Sequence, residues 1–110
     1  MYPGVGVGPE FCYYPAMRYR IEIGYQADAE LTALPPFHRR QVADAIAQIL
    51  SGEPTRESRS RIKRLHQPAA SVYRMRVGDY RVFYDVEGGT VIVLHIRHKA
   101  QTTDLYGGQP

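Results

Sequence analysis

Three arginines stand where a tight turn would bring them together. In the run VYRMRVGDYRVFYDV, Arg74 and Arg76 flank Met75, and Arg81 follows Gly78 and Asp79. Glycine at the first central position of a two-residue loop suits a primed hairpin turn. Such a loop pairs Val77 with Tyr80, Arg76 with Arg81, Met75 with Val82, Arg74 with Phe83 and Tyr73 with Tyr84, so Arg74, Arg76 and Arg81 share one face. Like charges directly opposite each other destabilise a strand pair, by about 0.2–1 kcal/mol on the scale of cross-strand effects. Folding does not recommend that arrangement, whereas an anion such as a phosphate held between the guanidinium groups does. Two alternatives compete with this reading. Carboxylates from a helix or from the chain's start could pair with the arginines, or a one-residue bulge could part them.

The charge around the hairpin is segregated. From Arg56 to Arg81 the chain carries eight cations, Lys63 and Arg64 among them, against Glu57 and Asp79, whereas the whole chain has a net charge of only +3. Such segregation is the footprint of a surface for a polyanion, although a solvated basic face would look the same. A second group lies at the end of the last apolar run, HIRHKAQTTDLY, where His98 and Lys99 precede Tyr106. An imidazole can donate a proton near neutral pH, and a tyrosine can hydrogen-bond a phosphate or stack on a base. His95 alternates with Val91 and Val93 and is expected to pack. No role is assigned to His38 or His66, and Tyr19, Tyr73, Tyr80 and Tyr84 read as core and rim.

The sequence lacks the glycine-rich nucleotide motifs, the nucleophile elbow and the paired histidines of a zinc protease. Its lone cysteine, Cys12, has no internal partner and no ligand cluster around it, so neither a disulfide nor a structural zinc site is expected, and no cofactor is implied. No run approaches the roughly 20 apolar residues of a membrane span, and the start lacks the pattern of a secretory signal. These features predict a cytoplasmic protein.

The elements that must position these residues follow from periodicity. With 110 residues the chain fits one domain. Residues 1–16 are rich in proline and glycine and aperiodic, so they read as a flexible tail before a single domain at 17–110, with Met17 a candidate natural start. RYRIEIGY alternates as a strand. Ala27, Leu31 and Leu34 recur at helical spacing until Pro35 and Pro36, and Val42, Ile46, Ile49 and Leu50 predict a longer helix from near Pro36 to Ser51. After an arginine-rich loop, turns at Gly78-Asp79 and Gly88-Gly89 divide the rest into three strands. The expected architecture is α+β in the order β-α-α-β-β-β, with two helices on one face of a twisted antiparallel sheet and the other face open.

In this order of elements, the runs YRIEIGYQADAELTALPPFHRRQVADAI, KRL at Lys63–Leu65, VYRMRVGDYRVFYDV and VLHIRHK with a late tyrosine resemble the RelE/ParE superfamily of type II toxins. The resemblance spans about Arg18 to Tyr106. It implies a small toxin neutralised by a cognate antitoxin. One branch of the superfamily cleaves messenger RNA on the ribosome; the other inhibits DNA gyrase without nuclease activity. Basic residues on the strand before the hairpin, an arginine after the turn, a basic residue closing the last strand and a tail tyrosine correspond here to Arg74 and Arg76, Arg81, Lys99 and Tyr106. Arginines replace the lysines of the best-known members at Arg74 and Arg76, and the interval from Lys99 to Tyr106 is longer than usual.

The leading expectation is therefore a ribosome-dependent, metal-independent mRNA endoribonuclease. Arg76 and Arg81 would stabilise the phosphorane, His98 would act as general acid, and Tyr106 would orient the nucleotide. Lys63, Arg64, Arg74 and Lys99 would hold the RNA backbone. The alternative is a gyrase inhibitor that uses the same basic face against a protein.

Overall fold

The computed structural model describes residues 19–106. The expected tail at 1–16, Met17 and Cys12 lie outside the described residues. The elements are β1 (Arg20–Ile23), α1 (Tyr25–Thr32), α2 (Pro36–Ala45), β2 (Ile62–Arg64), β3 (Tyr73–Val77), β4 (Tyr80–Glu87) and β5 (Thr90–His98). A π-helical turn (Ile46–Leu50) prolongs α2, and a 3-10 turn (Lys99–Gln101) follows β5.

Local chemistry sets these boundaries. Just past the end of β1, the Gly24 N–H donates to the Val93 carbonyl at 2.8 Å. A Cβ there would lie 2.9 Å from the same oxygen, so only glycine allows the chain to turn into α1 so close to β5. Pro35 and Pro36 separate the helices, and Pro36 opens α2 at its first turn, where a missing N–H costs nothing. Gly78, at φ 57°, supplies the positive φ that the β3–β4 turn requires.

The sheet order is β1-β5-β4-β3-β2. It is mixed, because β1 runs parallel to β5 at one edge while the other pairs are antiparallel. The chain beyond the helices reaches the opposite edge, where Ile62–Arg64, read from sequence as part of a loop, form the short edge strand β2. Three residues with one buried side chain carry too little alternation to be read as a strand from sequence. Between helices and sheet lies the main core, in which Val42, Leu50, Met75, Val82, Tyr84, Val91 and Val93 are fully buried. The Tyr84 hydroxyl donates to the Pro54 carbonyl at 2.6 Å and anchors the segment that leaves the helices.

The second face is only half open. Phe83 points away from the helices and is roofed by Leu65 and Leu105, with Ala69 and Tyr106 packed around them. Ala70 N–H donates to the Leu105 carbonyl at 2.9 Å, tying the β2–β3 loop to the C-terminal turn. This second, smaller core stops short of the β3–β4 turn, where the arginines stand.

Candidate functional site

The β3–β4 register places Arg76 opposite Arg81, Met75 opposite Val82 and Arg74 opposite Phe83, as the two-residue turn requires. On β5, Arg97 lies opposite Arg81. Since Met75, Val82 and Ile96 alternate into the main core, the row Arg76, Arg81, Arg97 crosses the face away from the helices. A second row beside it runs Lys63, Arg74, Phe83, His95.

The arginines of these rows have different surroundings. Arg97 is the neutralised one. Its Nε donates to Glu30 Oε2 at 2.5 Å, and its Nη1 lies 3.5 Å from Asp104 Oδ1. The hydrogen bond to Glu30, chiefly, raises the Arg97 pKa above its ordinary value. Among the described residues no carboxylate pairs with Arg74, Arg76 or Arg81. Arg81 Nη1 instead donates to the Gly78 and Tyr80 carbonyls at 3.0 and 2.9 Å, which fastens the guanidinium to the turn while leaving its charge uncompensated. Arg74 is half-buried, and its Nε is buried without a hydrogen-bond partner. Burial is the main force holding its pKa down; Tyr106 opposes that shift, and Arg81 and Arg76 add to it. The same interactions show that Arg74, Arg76, Arg81 and Tyr106 share one electrostatic neighbourhood.

Arginine remains cationic in proteins and cannot relieve such crowding by losing a proton. A bound anion can. Planar guanidinium groups with unused N–H donors suit phosphate oxygens, which they grip through paired hydrogen bonds. Tyr106 packs edge-on against Phe83, with ring centroids 5.2 Å apart, and so stands at the border of the basic patch. Lys63 is exposed opposite Arg74. Lys99 Nζ lies 3.4 Å from Asp79 Oδ1, and its backbone N–H donates to the Asp79 carbonyl, so Lys99 borders the β3–β4 turn from the β5 side.

Two residues expected at the site stand elsewhere. Arg64 lies opposite Tyr73, donates to its hydroxyl at 3.3 Å and covers its ring from 5.7 Å, on the helix side of the sheet. His98 lies opposite Tyr80, again on the helix side. The two rings meet edge-on at 5.6 Å, and Tyr80 also packs against His38 of α2. His98 Nδ1 accepts from the Ala100 N–H at 3.1 Å and caps the 3-10 turn. The geometry therefore gives His98 a packing and capping role and separates it from the arginines.

The cause is a bulge. Phe83 pairs with His95 but Tyr84 pairs with Val93, which leaves Leu94 unmatched. One extra residue reverses the facing of everything beyond it. Without it, His98 would share the arginine face and His95 would pack beneath the helices. With it, Ile96 and His98 turn inward, and His95 and Arg97 turn out. Sequence reasoning missed the outward facing of His95 for this reason. The available signal was the spacing of buried positions Val91, Val93 and Ile96, whose last step breaks a two-residue period. Glu30 was also missed, because nothing local in α1 marks it as the partner of β5.

Known proteins resemble this chain in sequence and fold. The family model for the ParE toxin of the type II toxin–antitoxin system parDE matches residues 10–103. The chain belongs to this toxin family. Its fold is that of RelE-like toxins. The toxin–antitoxin complex RelBE2 from Mycobacterium tuberculosis contains a chain 28% identical, with a TM-score of 0.64 over 74% of this chain and 98% of that one. The RelB–RelE complex of Methanococcus jannaschii gives 22% identity and a TM-score of 0.58 over 76% of this chain and 95% of that one. The RelE–RelB complex of Pyrococcus horikoshii gives 24% identity and a TM-score of 0.50 over 77% and 99%. Comparison with curated proteins by sequence returned no match.

Proposed function

We propose that this toxin is a ribosome-dependent mRNA endoribonuclease that inhibits translation in the cytoplasm. The observation that carries the proposal is the group Arg74, Arg76 and Arg81, three guanidinium groups on one sheet face with no carboxylate partner among the described residues. Arg81 is fixed by two backbone carbonyls and Arg76 projects beside it, so the pair is built to hold the scissile phosphate and stabilise the charge that grows on it. Arg74, Lys63 and Lys99 would bind the neighbouring backbone, and Tyr106 would orient a nucleotide. Attack by the 2′-hydroxyl needs alignment above all, and a ribosome-held message supplies that alignment. This mechanism uses no metal.

The structural likeness to toxins solved with RelB antitoxins supports a cognate antitoxin as the protein partner. The second reading is a gyrase inhibitor, favoured by the ParE description of the matching family. On that reading the same cationic face contacts a protein. Mapping transcript 5′ ends after induction, with and without ribosomes, tests the proposal. Cleavage on ribosomes that disappears in Arg81→Ala is expected; inhibition of supercoiling with intact transcripts would select the second reading.

A further inference from the structure

β5 carries two histidines, and the bulge gives each a different face. Resting on the nuclease reading above, we infer that His95, positioned by Glu30, is the proton donor to the leaving 5′-oxygen. His95 stands on the arginine face in the row of Arg74 and Phe83, two positions along β5 from Arg97. That makes it the diagonal neighbour of Arg81, at the roughly 7–8 Å typical of such pairs. A backbone phosphate lying between the rows of Arg81 and Arg74 would present its leaving oxygen toward His95.

The surroundings of His95 are those of an oriented imidazole. Its Nδ1 is buried, makes no hydrogen bond and lies 3.6 Å from Glu30 Oε1. Its side chain keeps 18% exposure, which belongs to atoms other than Nδ1. Glu30 is itself fixed, because its two oxygens accept from Ile96 N–H at 2.8 Å and Arg97 Nε at 2.5 Å. A carboxylate locked by two donors and facing one ring nitrogen fixes the orientation of the other. Contacts of this kind are often long without substrate and tighten when it binds. The charged groups around the ring are Glu30 from α1, Arg97 from β5, Asp104 behind Arg97, and Arg81 and Arg74 from the neighbouring strands; Phe83 beside it is neutral.

The step balances. The 2′-oxygen forms a bond to phosphorus and its proton passes to water, while the bond from phosphorus to the 5′-oxygen breaks. The outward nitrogen of His95 delivers its proton to that oxygen, giving a 2′,3′-cyclic phosphate and a 5′-hydroxyl, and His95 regains a proton from solvent.

Single-turnover cleavage on programmed ribosomes tests this, with messages carrying either oxygen or sulfur at the scissile 5′ position. His95→Ala and the more conservative His95→Gln should slow the oxygen substrate by about 10²- to 10⁴-fold, the usual contribution of a positioned acid. A thiolate leaves without a proton, so the sulfur substrate should restore both variants to near the wild-type rate. Glu30→Gln weakens the contact that orients the ring, so it should slow the oxygen substrate and leave the sulfur substrate near the wild-type rate. Wild-type rates in both His95 variants, or equal slowing on both substrates, would overturn the inference while the nuclease reading stands. A wild-type protein that cleaves neither message would overturn both.

Discussion

Met75 and Arg76 are neighbours on β3 and face different environments. Met75 is fully buried between sheet and helices, packed in a cluster that fixes its position. Arg76 is exposed beside Arg81 and gains no ion pair among the described residues. One face of the strand carries the folding energy, and the other holds a repulsion that folding does not need. A sheet this small divides its work in this way: alternation lets a single strand serve the core with every second residue and leaves the others facing away from it.

Substitutions at the two faces should separate stability from activity. The largest effect on stability is expected from Met75→Ala, whose buried side chain leaves a cavity that costs about 2–5 kcal/mol; denaturant unfolding checks it, and a loss under about 1 kcal/mol would mean that the helix face is poorly packed. Arg81→Ala should reduce ribosomal cleavage by about 10²- to 10³-fold, the range for one missing charge-stabilising donor, with little change in melting temperature. Cleavage at about half the wild-type rate or more would break the division between the faces. Tyr84→Phe removes the donor to the buried Pro54 carbonyl, and unfolding experiments should show a loss of about 1–3 kcal/mol with cleavage retained.

The smallest effect has the most informative sign. Arg76→Ala should raise stability by a few tenths of a kcal/mol, up to about 1, by relieving the opposition to Arg81, while it weakens RNA binding. It should also flatten the salt dependence of binding, since each phosphate that the protein no longer neutralises takes roughly one unit off the log–log slope. A destabilised Arg76→Ala protein would show that the arginine serves folding after all.

Much of the architecture was legible because it rests on local rules. The strand at Arg20–Ile23, the two helices divided at Pro35, and the β3–β4 turn with its register all follow from periodicity, proline and glycine. The placing of Arg74, Arg76 and Arg81 on one face needed only the turn length. Outside that reach lay whatever depended on partners distant in sequence. The edge strand β2 exists because β3 offers it hydrogen bonds. Leu65, Phe83 and Leu105 form a second core only when the loop and the C-terminal turn fold over the sheet. Glu30 meets Ile96 and Arg97 across 66 and 67 residues.

The amino-acid sequence by itself determined the α+β order of elements, the family, and the gathering of three arginines on a hairpin face, because each depends on residues within a turn or a strand of one another. Tertiary structure alone decided which histidine joins them. Leu94 is unmatched in the pairing of β5 with β4, and that slip of one residue turns His95 toward the arginines and His98 away. Side-chain facing along a strand has a period of two, so a single extra residue reverses everything beyond it.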